Sequence, residues 1–167
     1  GGAAAAAGDA AATFPREATL TLELVDELRY GENPHQRGAV YALRNEHGPS
    51  VVTAKLLHGK PLSYNNLLDA AAALELVRDL YDIDQGAHAC AVIKHTNPCG
   101  AAVSNSIGEA LEAAWSGDPI SAFGGVIAAN RPVTAEMSRQ VADVFTEVLV
   151  APGYDDDALE ILRERKN

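Results

Sequence analysis

Between Ala89 and Ile93 five consecutive residues, ACAVI, carry no strongly polar side chain, and Lys94 and His95 end the run. A short apolar run bounded by polar and turn-forming residues is the pattern of a strand buried on both faces. Thr96, Asn97, Pro98, Cys99 and Gly100 follow. These favour turns, so the pattern predicts that the backbone leaves the sheet after Lys94. Looser alternation predicts strands over 19–24 and 39–43, and apolar runs predict two more over 126–129 and 147–151. A helix is predicted over 67–81, where Leu67, Ala70, Ala71, Leu74, Val77 and Tyr81 recur near the helical period. Asn65 or Asn66 is placed to cap it, with Asp69 near the positive end of its dipole. Ser106 and Glu109 have capping-box spacing, which predicts a helix over 107–116 stopped by Gly117. Thr134 caps a further helix reaching Phe145, and 156–166 reads as an amphipathic helix. Strands alternate with helices from residue 85 onward. The fold class is therefore α/β: a layered, mixed, partly parallel sheet with flanking helices.

Composition narrows the function. A chain of 167 residues suffices for one core and not two, and 47% hydrophobic with 22% charged residues is an ordinary globular balance. Net charge is −10 with no Lys/Arg run, which argues against a nucleic-acid partner. An acidic protein still binds a small anion when a few cations converge on one cleft. The two cysteines, Cys90 and Cys99, make neither a disulfide framework nor a metal-ligand set. Pro98–Cys99 continues as Gly-Ala-Ala, so the second thiol of a zinc-deaminase signature is missing and no metal is expected. No apolar run is long enough to cross a membrane, and the start lacks the basic flank of a signal peptide, which fits a reducing cytoplasm. Residues 1–13, almost all Gly and Ala, read as a flexible linker, with 14–167 as one folded unit.

The chemistry-bearing residues gather in irregular segments after Leu28, Gly59, Lys94 and Asp118, expected to converge on one cleft. Lys94–His95 at a strand end is a candidate catalytic pair, because ligands of open α/β sheets sit beyond such ends and His titrates near neutrality. A solvated Lys beside a His packed under a turn is the competing reading. Arg29 could grip a phosphate or carboxylate bidentately, with Tyr30 adding a hydroxyl, or both could belong to a surface turn. Gly124–Gly125 either admits a ligand close to the backbone or permits a tight turn.

Five stretches, LRYGENPHQ, GKPLSYNNLLDA, AVIKHTNPCGAA, DPISAFGGVIA and VLVAPGYDDDALEIL, occur in that order. Together they resemble the transformylase half of the AICAR transformylase/IMP cyclohydrolase family, over about 14–167. Ala71 departs from the Asp the family usually carries after LLDA, and the Gly/Ala opening has no counterpart. The resemblance implies the first of two related units with a cytidine-deaminase-like fold lacking zinc, without the second unit or the cyclohydrolase domain. It implies formyl transfer from 10-formyltetrahydrofolate to the 5-amino group of AICAR, in a homodimer whose active sites lie at the subunit interface. His95 would then accept the amine proton and Lys94 would stabilise the formyl oxyanion. Arg29 and Tyr30 would hold the nucleotide phosphate, Asn66 would bond near the reacting groups, and Gly124 would offer its backbone. Glu147 falls where some members carry a nucleotide-binding Asp. Two alternatives remain open from the residues: an enzyme using Lys94 as a Schiff-base nucleophile, and a non-catalytic nucleotide-binding or assembly module.

Overall fold

The apolar run at the centre of the chain is divided between two cores by the pleat of a strand. In the computed structural model, which describes residues 14, 16–45 and 48–165, the order is β1 (Leu22–Leu28), β2 (Gly38–Leu43), α1 (Tyr64–Ile83), β3 (His88–Lys94), β4 (Asn97–Ser104), α2 (Ile107–Trp115), α3 (Pro119–Ala122), β5 (Gly125–Ala129), α4 (Ala135–Ala142), β6 (Thr146–Val150) and α5 (Asp156–Arg163). The segment 1–13, read as a linker, lies outside the described residues. β1 and β2 form a separate antiparallel pair, and the main sheet runs β4-β3-β5-β6. β3 is antiparallel to both neighbours, whereas β5 and β6 are parallel, so the sheet is mixed as expected.

Successive side chains of β3 point to opposite faces. Cys90 and Val92 join Ile107, Leu111, Met137, Val141 and Ala158 from α2, α4 and α5. Ala89, Ala91 and Ile93 join Ala70, Ala73 and Val77, so among the described residues α1 is the helix that covers the other face, with Val51 packed beside it. This is an α/β layered arrangement with the sheet between helices. Among the described residues no helix is long and apolar enough to cross a membrane.

Several elements differ from the sequence expectation. The chain does not leave the sheet after Lys94: it reverses through His95 and Thr96 into β4, and Lys94 pairs with Asn97. Turn formers at 97–100 are thus strand residues, tolerated because β4 is an edge strand where a proline need not donate. The first strand is Leu22–Leu28 rather than 19–24, since Leu22 and Leu24 must pair with Leu43 and Tyr41. The long helix begins at Tyr64, three residues early, because Ser63 is its N-cap. Its hydroxyl accepts from the Asn66 N–H at 3.2 Å while the Asn66 side chain accepts from the Ser63 N–H at 3.1 Å, a reciprocal capping box. Neither Asn65 nor Asn66 is the cap, and Asp69 lies in the second turn, committed elsewhere. Ala71, counted with the apolar stripe, is exposed. The helix expected to reach Phe145 stops at Ala142, because the Phe145 carbonyl accepts from Gly124 N–H at 2.8 Å and draws the chain into β6. Ser63→Ala should cost about 1 kcal/mol of stability. A urea midpoint unchanged from wild type would show that the box contributes nothing.

Candidate active site

β3 ends where β5 and β6 begin, since Ile93 pairs with Val126 and Gly125 with Thr146. α1 precedes β3 and runs back along it, so its N-terminal turns overhang the same end of the sheet. Every candidate residue lies at or beside this end.

His95 and Thr96 form the tip of the β3–β4 hairpin with φ of 55° and 60°. Two consecutive left-handed residues between paired strands are the geometry for which Asn-Gly is usual, because other side chains crowd the backbone there. His95 and β-branched Thr96 each carry a cost on the order of 1 kcal/mol in that conformation. Four hydrogen bonds on two acceptor groups offset it. The Asp69 carboxylate accepts the His95 N–H at 3.2 Å and the Thr96 N–H at 2.7 Å, one on each oxygen. The His95 carbonyl accepts the Thr96 hydroxyl at 2.7 Å and the Asn97 amide at 2.9 Å. The His95 side chain is exposed and makes no hydrogen bond among the described residues. Lys94, half-buried, points its Nζ at the Phe123 carbonyl, 2.8 Å away. Phe123 immediately precedes Gly124, whose φ of 74° disfavours any side chain and where a Cβ would come within 3.3 Å of the Phe145 ring.

The segment leading to Phe123 is itself pinned. Asp118 caps α3 by accepting from Ser121, with Pro119 at the first helical position. Those Ser121 bonds, the hydroxyl's first, hold the Asp118 carboxyl below the usual carboxylate range. Phe123, whose carbonyl meets Lys94, and Phe145 then stand with ring centroids 5.3 Å apart, both partly exposed.

The other candidates surround an open cavity of about 970 Å³ along β6, shared by Arg29, Tyr30, Asn66, Glu147 and segment 53–63. Asn66 donates to the Glu147 carboxylate at 2.5 Å, tying α1 to β6. Asn65 donates to the Glu32 carbonyl at 3.3 Å and so holds the 29–37 loop against α1. That loop is closed internally by Asn33 and Gln36, and the Arg29 guanidinium lies 4.9 Å from the Tyr30 ring centre with a 3.2 Å bond to its hydroxyl. Arg29, Lys55, Lys60, Arg78, Arg131 and Arg165 line the cavity, against Glu147 as its single acid among the described residues. In a protein of net charge −10 this is a local reversal of sign. A cleft lined by cations concentrates anions even on an acidic protein.

The expected single cleft is therefore two adjoining parts. Arg29, Tyr30, Asn66 and Glu147 share the cavity, whereas half-buried Lys94 and Gly124 and exposed His95 cluster outside its lining. Phe145 joins them: it lines the cavity while its carbonyl holds Gly124. Sequence reading missed Asp69 as the hairpin's partner and Ser63 as the cap. The Ser-x-x-Asn spacing could have indicated the cap, but no local signal pairs residue 69 with residue 95.

Neither cysteine is poised for chemistry. Burial pushes the Cys90 thiol up to about 12, and burial also raises that of Cys99. Among the described residues no group of three His, Cys, Asp or Glu side chains is close enough to hold a metal ion.

A family model described as AICARFT/IMPCHase bienzyme matches residues 3–167. The chain belongs to the AICARFT/IMPCHase bienzyme family. Similar curated proteins are each named bifunctional purine biosynthesis protein PurH. The chain is 46% identical to that of Oceanobacillus iheyensis over 154 residues, which covers 92% of this chain and 29% of the relative. It is 53% identical to that of Cutibacterium acnes over 147 residues, 88% of this chain and 27% of the relative. The Cereibacter sphaeroides protein is 45% identical over 161 residues, 96% of this chain and 30% of the relative. The chain thus spans about three-tenths of the length of the AICARFT/IMPCHase relatives it matches.

Proposed function

We propose that this chain supplies the nucleotide-binding and proton-transfer part of an enzyme that formylates AICAR, using 10-formyltetrahydrofolate as co-substrate, within a cytoplasmic, homodimeric bifunctional protein that also closes the ring to IMP. The observation that carries the reading is the pair Lys94–His95, held at a clamped hairpin tip beside a cavity lined by cations. The AICAR amine is a weak nucleophile because its lone pair is delocalised into the ring and carboxamide. His95 accepts the amine proton as nitrogen attacks the formyl carbon. The carbonyl oxygen becomes an oxyanion, and the fixed ammonium of Lys94 stabilises it. Collapse of that adduct breaks the bond to folate N10, and the proton held by His95 passes to N10, so the formyl group moves with no net proton gain. Arg29 and Tyr30 take the nucleotide phosphate, and the Asn66–Glu147 pair and Gly124 backbone contact the base or ribose. The exposed Phe123–Phe145 pair suits a flat heteroaromatic ring such as the folate pterin. The fold is taken to be the first of two cytidine-deaminase-like units, each requiring the other to complete the site.

The test is AICAR- and folate-dependent formyl transfer by the full-length protein. Its absence would exclude the reading. Borohydride added during turnover should trap no lysine adduct, and a reduced adduct on Lys94 would establish Schiff-base chemistry instead. Arg29→Ala should weaken AICAR binding by about ten- to a hundredfold, the loss of one charged hydrogen-bonded contact. Calorimetry gives the affinity directly. Nucleotide affinity indistinguishable from wild type would remove Arg29 from the phosphate site.

A further inference from the structure

We propose that Asp69 is the positioning residue for His95, and that α1 thereby sets the catalytic tip and the nucleotide cavity relative to one another. The proposal rests on reading Lys94–His95 as the formyl-transfer pair. Both groups that Asp69 meets are backbone N–H donors, on successive residues and one to each oxygen, at 3.2 and 2.7 Å. Only a carboxylate offers two acceptors in that span, so the site needs an acid and not an amide. What the carboxylate holds is a conformation that neither residue prefers, with φ of 55° at His95 and 60° at Thr96. The left-handed backbone at His95 fixes the direction of its Cα–Cβ bond. Without the clamp the turn is free to relax to conformers in which the imidazole leaves the side where Lys94 meets the Phe123 carbonyl.

Asp69 is rigid because its helix is. Ala70, the next residue, is buried, as are Ala73 and Val77, all against β3 and β5. One turn before Asp69, Asn66 holds Glu147 in the cavity wall. A single helix turn therefore carries both attachments, Asn66 to the binding part and Asp69 to the catalytic tip. A shift of an ångström between those parts is enough to lose about a hundredfold in rate.

The experiment uses the full-length protein and three variants: Asp69→Asn, Thr96→Gly and the double variant. Asp69→Asn keeps the shape but turns one acceptor into a donor facing an N–H. It should lower kcat about a hundredfold. AICAR affinity should stay within about twofold. The amide proton resonances of His95 and Thr96 should both move upfield as the charged acceptor is lost. Glycine adopts the left-handed region without crowding, so the double variant should regain about tenfold in kcat over Asp69→Asn. A structural role elsewhere in α1 would not respond to glycine at residue 96. Full kcat in Asp69→Asn overturns the proposal, as does a folded double variant with no recovery. If Asp69→Asn fails to fold, the double variant decides: folding with activity supports the clamp, and failure to fold places Asp69 in global stability instead. A wild-type protein without formyl transfer removes the functional reading, and the two amide resonances in Asp69→Asn then still decide whether the clamp exists.

Discussion

Replacing His95 by alanine should lower formyl-transfer turnover by about two to four orders of magnitude, the usual contribution of a positioned general base. AICAR affinity should change far less, because Arg29, Tyr30, Asn66 and Glu147 line a cavity to which His95 does not contribute. The loss should appear in kcat, the pattern of an interaction made in the transition state. Alanine also fits the left-handed region poorly, and His95 has a φ of 55°, so a disturbed turn could mimic a lost base. His95→Asn separates the two. Asparagine tolerates that backbone region and cannot act as a base, so it should be as slow as alanine while keeping wild-type thermal stability. The measurement is single-turnover formyl transfer alongside calorimetric nucleotide affinity. Near-normal turnover in His95→Asn would return Lys94–His95 to the role of an ordinary polar turn.

Gly100→Ala should destabilise the fold by about 3 kcal/mol, the upper end of what overpacking costs. A Cβ at residue 100 would overlap the Ala114 carbonyl oxygen, which belongs to the backbone of α2 and cannot rotate away. The last turn of α2 packs on β4 at this point, and a Cβ at Gly117 would likewise come within 2.9 Å of the Cys99 carbonyl oxygen and 3.2 Å of Gly100 Cα. Accommodating the methyl means lifting α2 from the sheet and loosening Leu111 and Ala114 in the core. Gly108→Ala is the control, because a Cβ there meets only the Glu136 side chain, at 3.2 Å. That side chain is flexible and exposed, and alanine favours a helix by about 1 kcal/mol over glycine. Gly108→Ala should therefore be neutral or slightly stabilising. Urea midpoints of the two variants give the comparison, and equal effects would mean that α2 and β4 part at Gly100 without cost.

How far the sequence reached depended on whether a feature is written locally. Apolar runs located β3 and β5, since a strand buried on both faces has no other way to appear, and a further run located half-buried β6. Helical spacing located α1, α2, α4 and α5, while their ends moved by several residues wherever a side chain or a neighbouring carbonyl intervened. Ser63 extended α1 backward, and the Gly124–Phe145 bond cut α4 short. β4 was hidden because its turn-forming residues are tolerated only on an edge strand, and edge position belongs to the assembled sheet.

The same division holds at the site. Arg29, Tyr30, Asn66, Lys94, His95, Gly124 and Glu147 were named from residue type, loop context and family resemblance, which needs no coordinates. That four of them share a cavity whose lining is rich in cations, while three cluster outside it, depended on how α1 and β6 pack. Asp69 shows the limit most clearly. Twenty-six residues separate it from His95, and an aspartate one turn into a helix carries no mark of its partner. Local sequence determines which groups can do chemistry and which segments can be strand or helix, because those are properties of a residue and its near neighbours. Only the tertiary structure decided which carboxylate meets which N–H, because that contact exists only once α1 has buried Ala70, Ala73 and Val77 against β3 and β5.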